Sequence, residues 1–273
     1  MWDAVWLFRE SIAGSLLIAM GCSVLGVYVV LRRVVFVGAA LAQLASAGTA
    51  LALFMASAGF TLGLLTNQVV LTAGATLAGV VFFGLRRQRR AVPSDALLGA
   101  IFAAAGAASV LLVAGTAAAD IHELFFGGDV LFVTAGELTW IALVVVWATA
   151  THALFLHPFV FVSFDSEMAA SLGYRTRLWN LLLFLTFGAV IAVSMDVVGV
   201  LLTFAYLVLP GITGLLLGTR MVTMFLASAA IGVMGTLAGF LVSIQVDLPT
   251  GSTIIAALTV LTFAAWAWNR VVR

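Results

Sequence analysis

From residue 12 to residue 269 the chain is a series of nearly unbroken apolar runs separated by short polar clusters. The runs cover about 12–31, 34–58, 62–85, 96–118, 137–156, 178–195, 198–217, 222–244 and 254–269. Each is close to the roughly 20 residues with which an α-helix crosses a hydrocarbon core about 30 Å thick. The runs are continuously apolar rather than alternating, so they read as helices and not as barrel strands. The expectation is an all-α, polytopic helical membrane protein of about nine spans, forming a single transmembrane domain over residues 1–273. The first run, preceded by Asp3, Arg9 and Glu10 and longer than a secretory apolar region, reads as a span rather than a signal peptide.

The polar clusters alternate in sign. Arg32 and Arg33, then Arg86, Arg87, Arg89 and Arg90, then Arg175 and Arg177, then Arg220, then Arg270 and Arg273 all follow odd-numbered runs. The even-numbered connections hold Asp120, Glu123 and Asp129, then Asp196, then Asp247, with no Arg. Basic residues stay on the cytoplasmic side, so the N-terminus is expected outside and the C-terminus inside. A single miscounted run would scramble this alternation.

Composition agrees. Of 273 residues 64% are hydrophobic and 8% charged, against roughly 45–50% and about 25% in soluble domains. A multi-pass protein of the plasma (inner) membrane follows, with lipid as its solvent. All twelve basic residues are Arg, and a net charge of +1 gives no footprint for nucleic acid. The lone Cys22 lies in the first run, so no intrachain disulfide can form. Dense small residues, as in Ala45-Ser46-Ala47-Gly48, suit close helix packing.

The longest polar stretch on the expected inner side is Ser163 to Arg175. Asp165 and Glu167 suit the positive end of a helix, Phe164, Met168 and Leu172 recur every fourth residue, and Gly173 can stop it. A short amphipathic helix over about 164–173 is expected. It would lie flat in the headgroup layer or insert its apolar residues into a groove of a cytoplasmic partner.

Within the spans, Asn67, Gln68, Gln43, Thr203, Tyr206 and Thr213 are the polar residues that need partners. Pro210-Gly211 frees backbone groups, which reads either as a packing kink or as a break lining a pathway. Asp120, His122 and Glu123 form the one polar cluster able to capture a cation, though such a group is also an ordinary solvated loop. His152 and His157 flank the inner end of the fifth run, five residues apart, a poor spacing for sharing one ion.

The stretch Gly26-Val27-Tyr28-Val29-Val30-Leu31-Arg32-Arg33-Val34-Val35-Phe36-Val37-Gly38-Ala39-Ala40-Leu41-Ala42-Gln43 resembles the start of the permeases of zinc and manganese ABC importers. There an apolar helix runs through two basic residues into a Gly-Asp-x-Leu-(Ala/Ser)-His segment. Further matches follow in order: Asp95 to Gly99, Leu124 to Asp129, Asp165 to Gly173, Val198 to Leu202 leading to Leu209-Pro210, and Asp247 to Gly251. They cover nearly the whole chain.

The resemblance implies a homodimeric permease that forms the translocation pathway, with Ala39, Gln43, Asn67, Gln68, Thr203, Tyr206 and Pro210 as candidate lining. It implies that the helix near 164–173, through Phe164, Asp165, Glu167, Met168, Leu172 and Gly173, couples to a separate ATP-binding subunit, while an extracellular or periplasmic binding protein delivers substrate. A chain without Lys has no P-loop, so the permease itself is not an enzyme; it carries no cofactor, and ATP is used by the partner.

The family's Asp and His are replaced here by Ala39 and Gln43. Four residues apart, the pair shares one helix face, yet Ala offers no ligand atom and Gln only a neutral amide. A chelated metal or another small solute fits these residues better than a bare zinc or manganese ion. The competing reading is a stand-alone secondary transporter or channel for a small solute. The acids, all at expected loops or span ends, do not favour ion coupling. A membrane enzyme would show clustered His, Asp or Glu at one face, of which the loop around His122 is a thin version.

The topology is testable by single-Cys labelling in a Cys22→Ser background. Residues 86–90, 165–177 and the C-terminus should resist an impermeant reagent applied outside, whereas the N-terminus and positions near 60, 125, 196 and 247 should react. Reaction of a residue in 86–90 from outside overturns it.

Overall fold

A computed structural model describes residues 9–59, 63, 67–85, 94–114 and 133–272, the side chains of 94, 95 and 272 aside. Among them there is no strand. The helices are α1 (Arg9–Leu31), α2 (Phe36–Ser57), α3 (Gln68–Leu85), α4 (Ser94–Val113), α5 (Ala135–Leu154), α6 (Leu156–Phe164), α7 (Ser166–Ser171), α8 (Thr176–Leu217), α9 (Met221–Val246) and α10 (Thr250–Val272). Eight of these are long and apolar enough to cross a membrane.

The 42-residue α8 is two arms, 176–198 and 200–217, joined at Gly199, whose φ of 77° and ψ of 172° lie outside any helix. Only glycine adopts such a conformation without strain. Contacts show that the chain turns back there. Thr186 bonds His152, which touches Tyr28, and Ser194 then meets Cys22, so the first arm runs against α1. Beyond the turn a Cβ on Gly26 would collide with Leu207, and Gly211 abuts Gly26 and Val30, so the second arm runs with α1. The turn therefore follows Asp196 rather than preceding Val198, and places Asp196, half-buried with Oδ1 unpartnered, in the last turn of the first arm.

The same logic orients the other helices. Gly14 faces Ile141, Gly21 faces Val145 and Tyr28 rests on His152, so α1 and α5 are parallel. Thr49 bonds Thr72 while Gly79 faces Leu41 and Leu44, so α2 and α3 are antiparallel; Gly235 faces Leu258 and Gly239 faces Ile254, so α9 and α10 are too. Gly84 meets Leu181, and Gly214 meets Met224. Arg32, Arg33, Arg175, Arg177 and Arg220 consequently share one end of the bundle.

The hub is α8, which packs on α1, α2, α3, α9 and α10. Lipid gives helices no hydrophobic reason to associate, so contact depends on close van der Waals approach and interhelical hydrogen bonds. Both are present. Glycines at 26, 38, 188, 211, 214, 232, 235 and 239 each face another helix at a distance that leaves no room for a Cβ. Ser228 Oγ donates to the Ser23 carbonyl at 2.7 Å, and Thr49 and Thr72 hydroxyls lie 2.8 Å apart. Pro210 lies inside the second arm of α8, and the Thr213 and Thr262 hydroxyls both reach the neighbouring Leu209 carbonyl, at 2.9 and 3.3 Å.

Gly211→Val should cost about 2 kcal/mol or more, since its Cβ would lie 2.8 Å from the Gly26 backbone. Gly74→Ala, a helical position with nothing nearby, should gain roughly 0.5 kcal/mol. Thermal unfolding of the purified protein in detergent measures both, and equal behaviour of the two variants contradicts the packing argument.

Candidate functional site

The chain leaves α1 through a turn in which Arg33 takes a φ of 57°, with Val34 N–H donating to the Val29 carbonyl at 3.1 Å. It then enters α2, whose start packs on α8: a Cβ on Gly38 would lie 2.8 Å from Leu207 Cδ1. Ala39 and Gln43 follow on one face, one turn apart, and both are buried. Gln43 is 1% exposed and points its amide at α4. A Cβ added at Gly106 would lie 2.5 Å from Gln43 Nε2, so the glycine makes the space the amide occupies. Ser109, buried beside it, donates to the Gly106 carbonyl. Gln43 Oε1 is buried and accepts no hydrogen bond among the described residues. A buried acceptor left unpaired costs about 1–3 kcal/mol.

Thr203, Tyr206 and Pro210 lie together on the second arm of α8, joined to the Gln43 region through Leu207. All are buried and committed to the fold. Thr203 Oγ1 donates to the Gly199 carbonyl at 2.7 Å, bracing the turn, and Tyr206 Oη lies 2.8 Å from Thr236 Oγ1. Asn67 and Gln68 are elsewhere. The third span starts at Gln68 rather than residue 62, so both sit at its end away from the Arg-bearing face. Asn67 is exposed, with Oδ1 accepting from Val69 N–H at 2.9 Å, the role of a helix cap. Asp120, His122 and Glu123 lie outside the described residues.

The expected short helix is α7, six residues long. Asp165 Oδ1 accepts from Glu167 and Met168 N–H at 3.1 and 2.8 Å, and Gly173 ends the segment with a φ of 87°. Ala169 is fully buried and anchors it. Phe164, Met168 and Leu172 are 62%, 52% and 65% exposed.

Above α7, α1, α5, α6 and α8 close on an aromatic cluster that spacing alone did not indicate. His152 is not interfacial but buried, with Nε2 2.8 Å from Thr186 Oγ1 and its ring stacked on Phe159 at 4.5 Å between centroids. Tyr28 and Trp179 complete it. Arg32, one residue past α1, donates from Nε to Ser163 Oγ at 2.8 Å, tying the end of α1 to the segment that leads into α7. Burial pulls its guanidinium down to about 10, against a smaller upward pull from Tyr28, so it stays charged at neutral pH. The motif's two basic residues could have flagged Arg32, but nothing in the sequence pointed to Ser163.

Known proteins resemble this chain in sequence and fold. The chain is 28% identical over 256 residues to a manganese transport system membrane protein of Halalkalibacterium halodurans, covering 93% of this chain and 84% of that one. It is 30% identical over 256 residues to a probable metal transport system membrane protein of Treponema pallidum, covering 93% and 92%. Its fold superposes with a TM-score of 0.81 on PsaBC from Streptococcus pneumoniae in complex with Fab, at 18% identity over 97% of this chain and 93% of that one. The model of the ABC 3 transport family matches residues 5–269, and this chain is a member of that family, a multi-pass membrane subunit rather than an ATP-hydrolysing one.

Proposed function

We propose that this chain is the permease of an ABC importer for a transition metal, manganese foremost, that works as a homodimer with an ATP-binding subunit inside and a substrate-binding protein outside. Counting the arms of α8 separately gives nine apolar segments, N-terminus outside, with the Arg-bearing end facing the cytoplasm. The observation that carries the reading is α7. Three large apolar side chains, Phe164 just before it, Met168 within it and Leu172 at its C-terminal cap, stand exposed around a short helix held by the Asp165 cap and buried Ala169, at the Arg-bearing end of the bundle. Fixed apolar anchors of that kind suit a groove in another protein. The Arg32–Ser163 bond offers a path by which motion of α7 reaches α1.

The cargo reading takes manganese from the relatives and its form from this chain. No group of three or more His, Cys, Asp or Glu able to hold a metal occurs among the described residues. Ala39 and Gln43 cannot offset the lost hydration of a bare divalent cation. A metal that keeps water or chelate ligands presents hydrogen-bond donors instead, and the free Oε1 of Gln43 can accept one. Asp196 favours a second reading, an ion-coupled transporter without ATPase, because an unpartnered carboxylate oxygen inside a bundle is a typical coupling group. Loss of uptake in Asp196→Asn that is indifferent to ATP would support it.

Met168→Asp or Leu172→Asp should each weaken the complex with the ATPase by at least about tenfold, since losing such an anchor costs about 2 kcal/mol, while the bundle still folds. A fully stimulated ATPase complex in both variants overturns the coupling role.

For the solute, Gln43→Met should leave the melting temperature unchanged or raised, because it removes an unsatisfied acceptor, yet reduce ATP-driven uptake of chelated manganese in proteoliposomes. Ala39→Asp with Gln43→His should make uptake respond to the free ion. Saturable uptake of free manganese or zinc that Gln43→Ala abolishes would show that the unmodified pair handles the bare ion.

A further inference from the structure

At the Arg-bearing end a groove of about 910 Å³ opens between α6 and the start of α9. Leu156, Val160, Phe161 and Phe164 of α6 form one wall and Met221 and Val222 of α9 the other. Arg220 stands at the mouth, with His157 and Tyr174 beside it. We propose that this groove binds an anionic phospholipid, its phosphate at Arg220 and one acyl chain along the apolar walls.

Three features select this occupant. Charge is the first: Arg220 is exposed, is the one charged group lining the groove, and pairs with no carboxylate among the described residues. A guanidinium fork matches phosphate geometry and holds it bidentately. The second is continuity with the bilayer. Val222 and Leu226 lie one turn apart on α9, 56% and 65% exposed, and extend the groove wall onto the flank of a membrane-spanning helix. An acyl chain entering there never leaves an apolar surface. Position is the third. The groove sits where α8 ends and α9 begins, the depth at which a headgroup meets basic side chains.

A protein partner is served by a different surface, since neither Met168 nor Leu172 lines the groove. Phe164 alone belongs to both. A bound lipid would therefore brace the root of α7 while leaving Met168 and Leu172 uncovered, making the coupling segment sensitive to the inner leaflet.

The test uses the full-length permease, purified from membranes and presented with dioleoyl phosphatidylglycerol or dioleoyl phosphatidylcholine in detergent, with retained lipid counted by native mass spectrometry. Phosphatidylglycerol should be retained preferentially. Arg220→Gln should lower its retention about fivefold, the effect expected of one basic residue, and Arg220→Lys should keep most of it. Val160→Trp, which fills the groove, should reduce retention of both lipids, with unchanged size-exclusion profile and melting temperature reporting an intact fold. Equal retention of the two lipids by the unmodified protein, indifference to Arg220→Gln, or displacement by inorganic phosphate alone would overturn the proposal. So would loss of the ATPase from Val160→Trp at undiminished lipid retention, which would assign the groove to the protein partner.

Discussion

Between α1 and the returning arm of α8, Gly26, Leu207 and Gly211 bring two backbones into direct contact. Much else follows from it. Leu207 meets Gly26 through its backbone and Gly38, at the start of α2, through its side chain, so one residue sets the spacing of three helices and thereby the position of Ala39 and Gln43. The contact exists only because Gly199 turns the chain back, allowing a single continuous stretch to run against α1 and then alongside it. In lipid, where no water competes for backbone groups, such proximity is obtained by removing side chains rather than by burying larger ones.

Polar groups inside the bundle divide by whether the fold uses them. Thr203, Tyr206, Thr213, Ser228 and Thr49 all have partners within the chain and work as interhelical or turn-bracing bonds. Gln43 Oε1, His152 Nδ1, Tyr28 Oη and Asp196 Oδ1 have none among the described residues. A buried polar atom without a partner destabilises the fold, so these positions are where a passing solute, a proton or a conformational change has something to gain. Gln43 stands apart because Gly106 clears room for its amide instead of packing against it.

The Arg-bearing end combines two kinds of surface within a short distance. The anchors of α7 are held out from the bundle by a capped, glycine-terminated segment, while the neighbouring groove turns apolar walls toward the bilayer. Arg32 joins the root of that segment to α1 through Ser163, which makes the end of the bundle a mechanical unit rather than a set of loops.

Helix existence, the approximate limits of the apolar segments and the alternation of Arg clusters were legible along the chain, because a bilayer imposes length and charge rules that act residue by residue. The short helix was legible too, since Asp165, its apolar period and Gly173 are local signals. Partners were not. Nothing within one segment distinguishes Tyr206, bonded to Thr236, from Gln43, left open, or shows that Thr262 reaches the Leu209 carbonyl fifty-three residues away. The same holds for Asn67, polar enough to line a pathway but spent on capping α3. Hydrophobic pattern is set by the solvent each segment meets, and the sequence records it directly. Which polar atoms remain unpaired depends on the three-dimensional register of several helices at once, and only tertiary packing decides that.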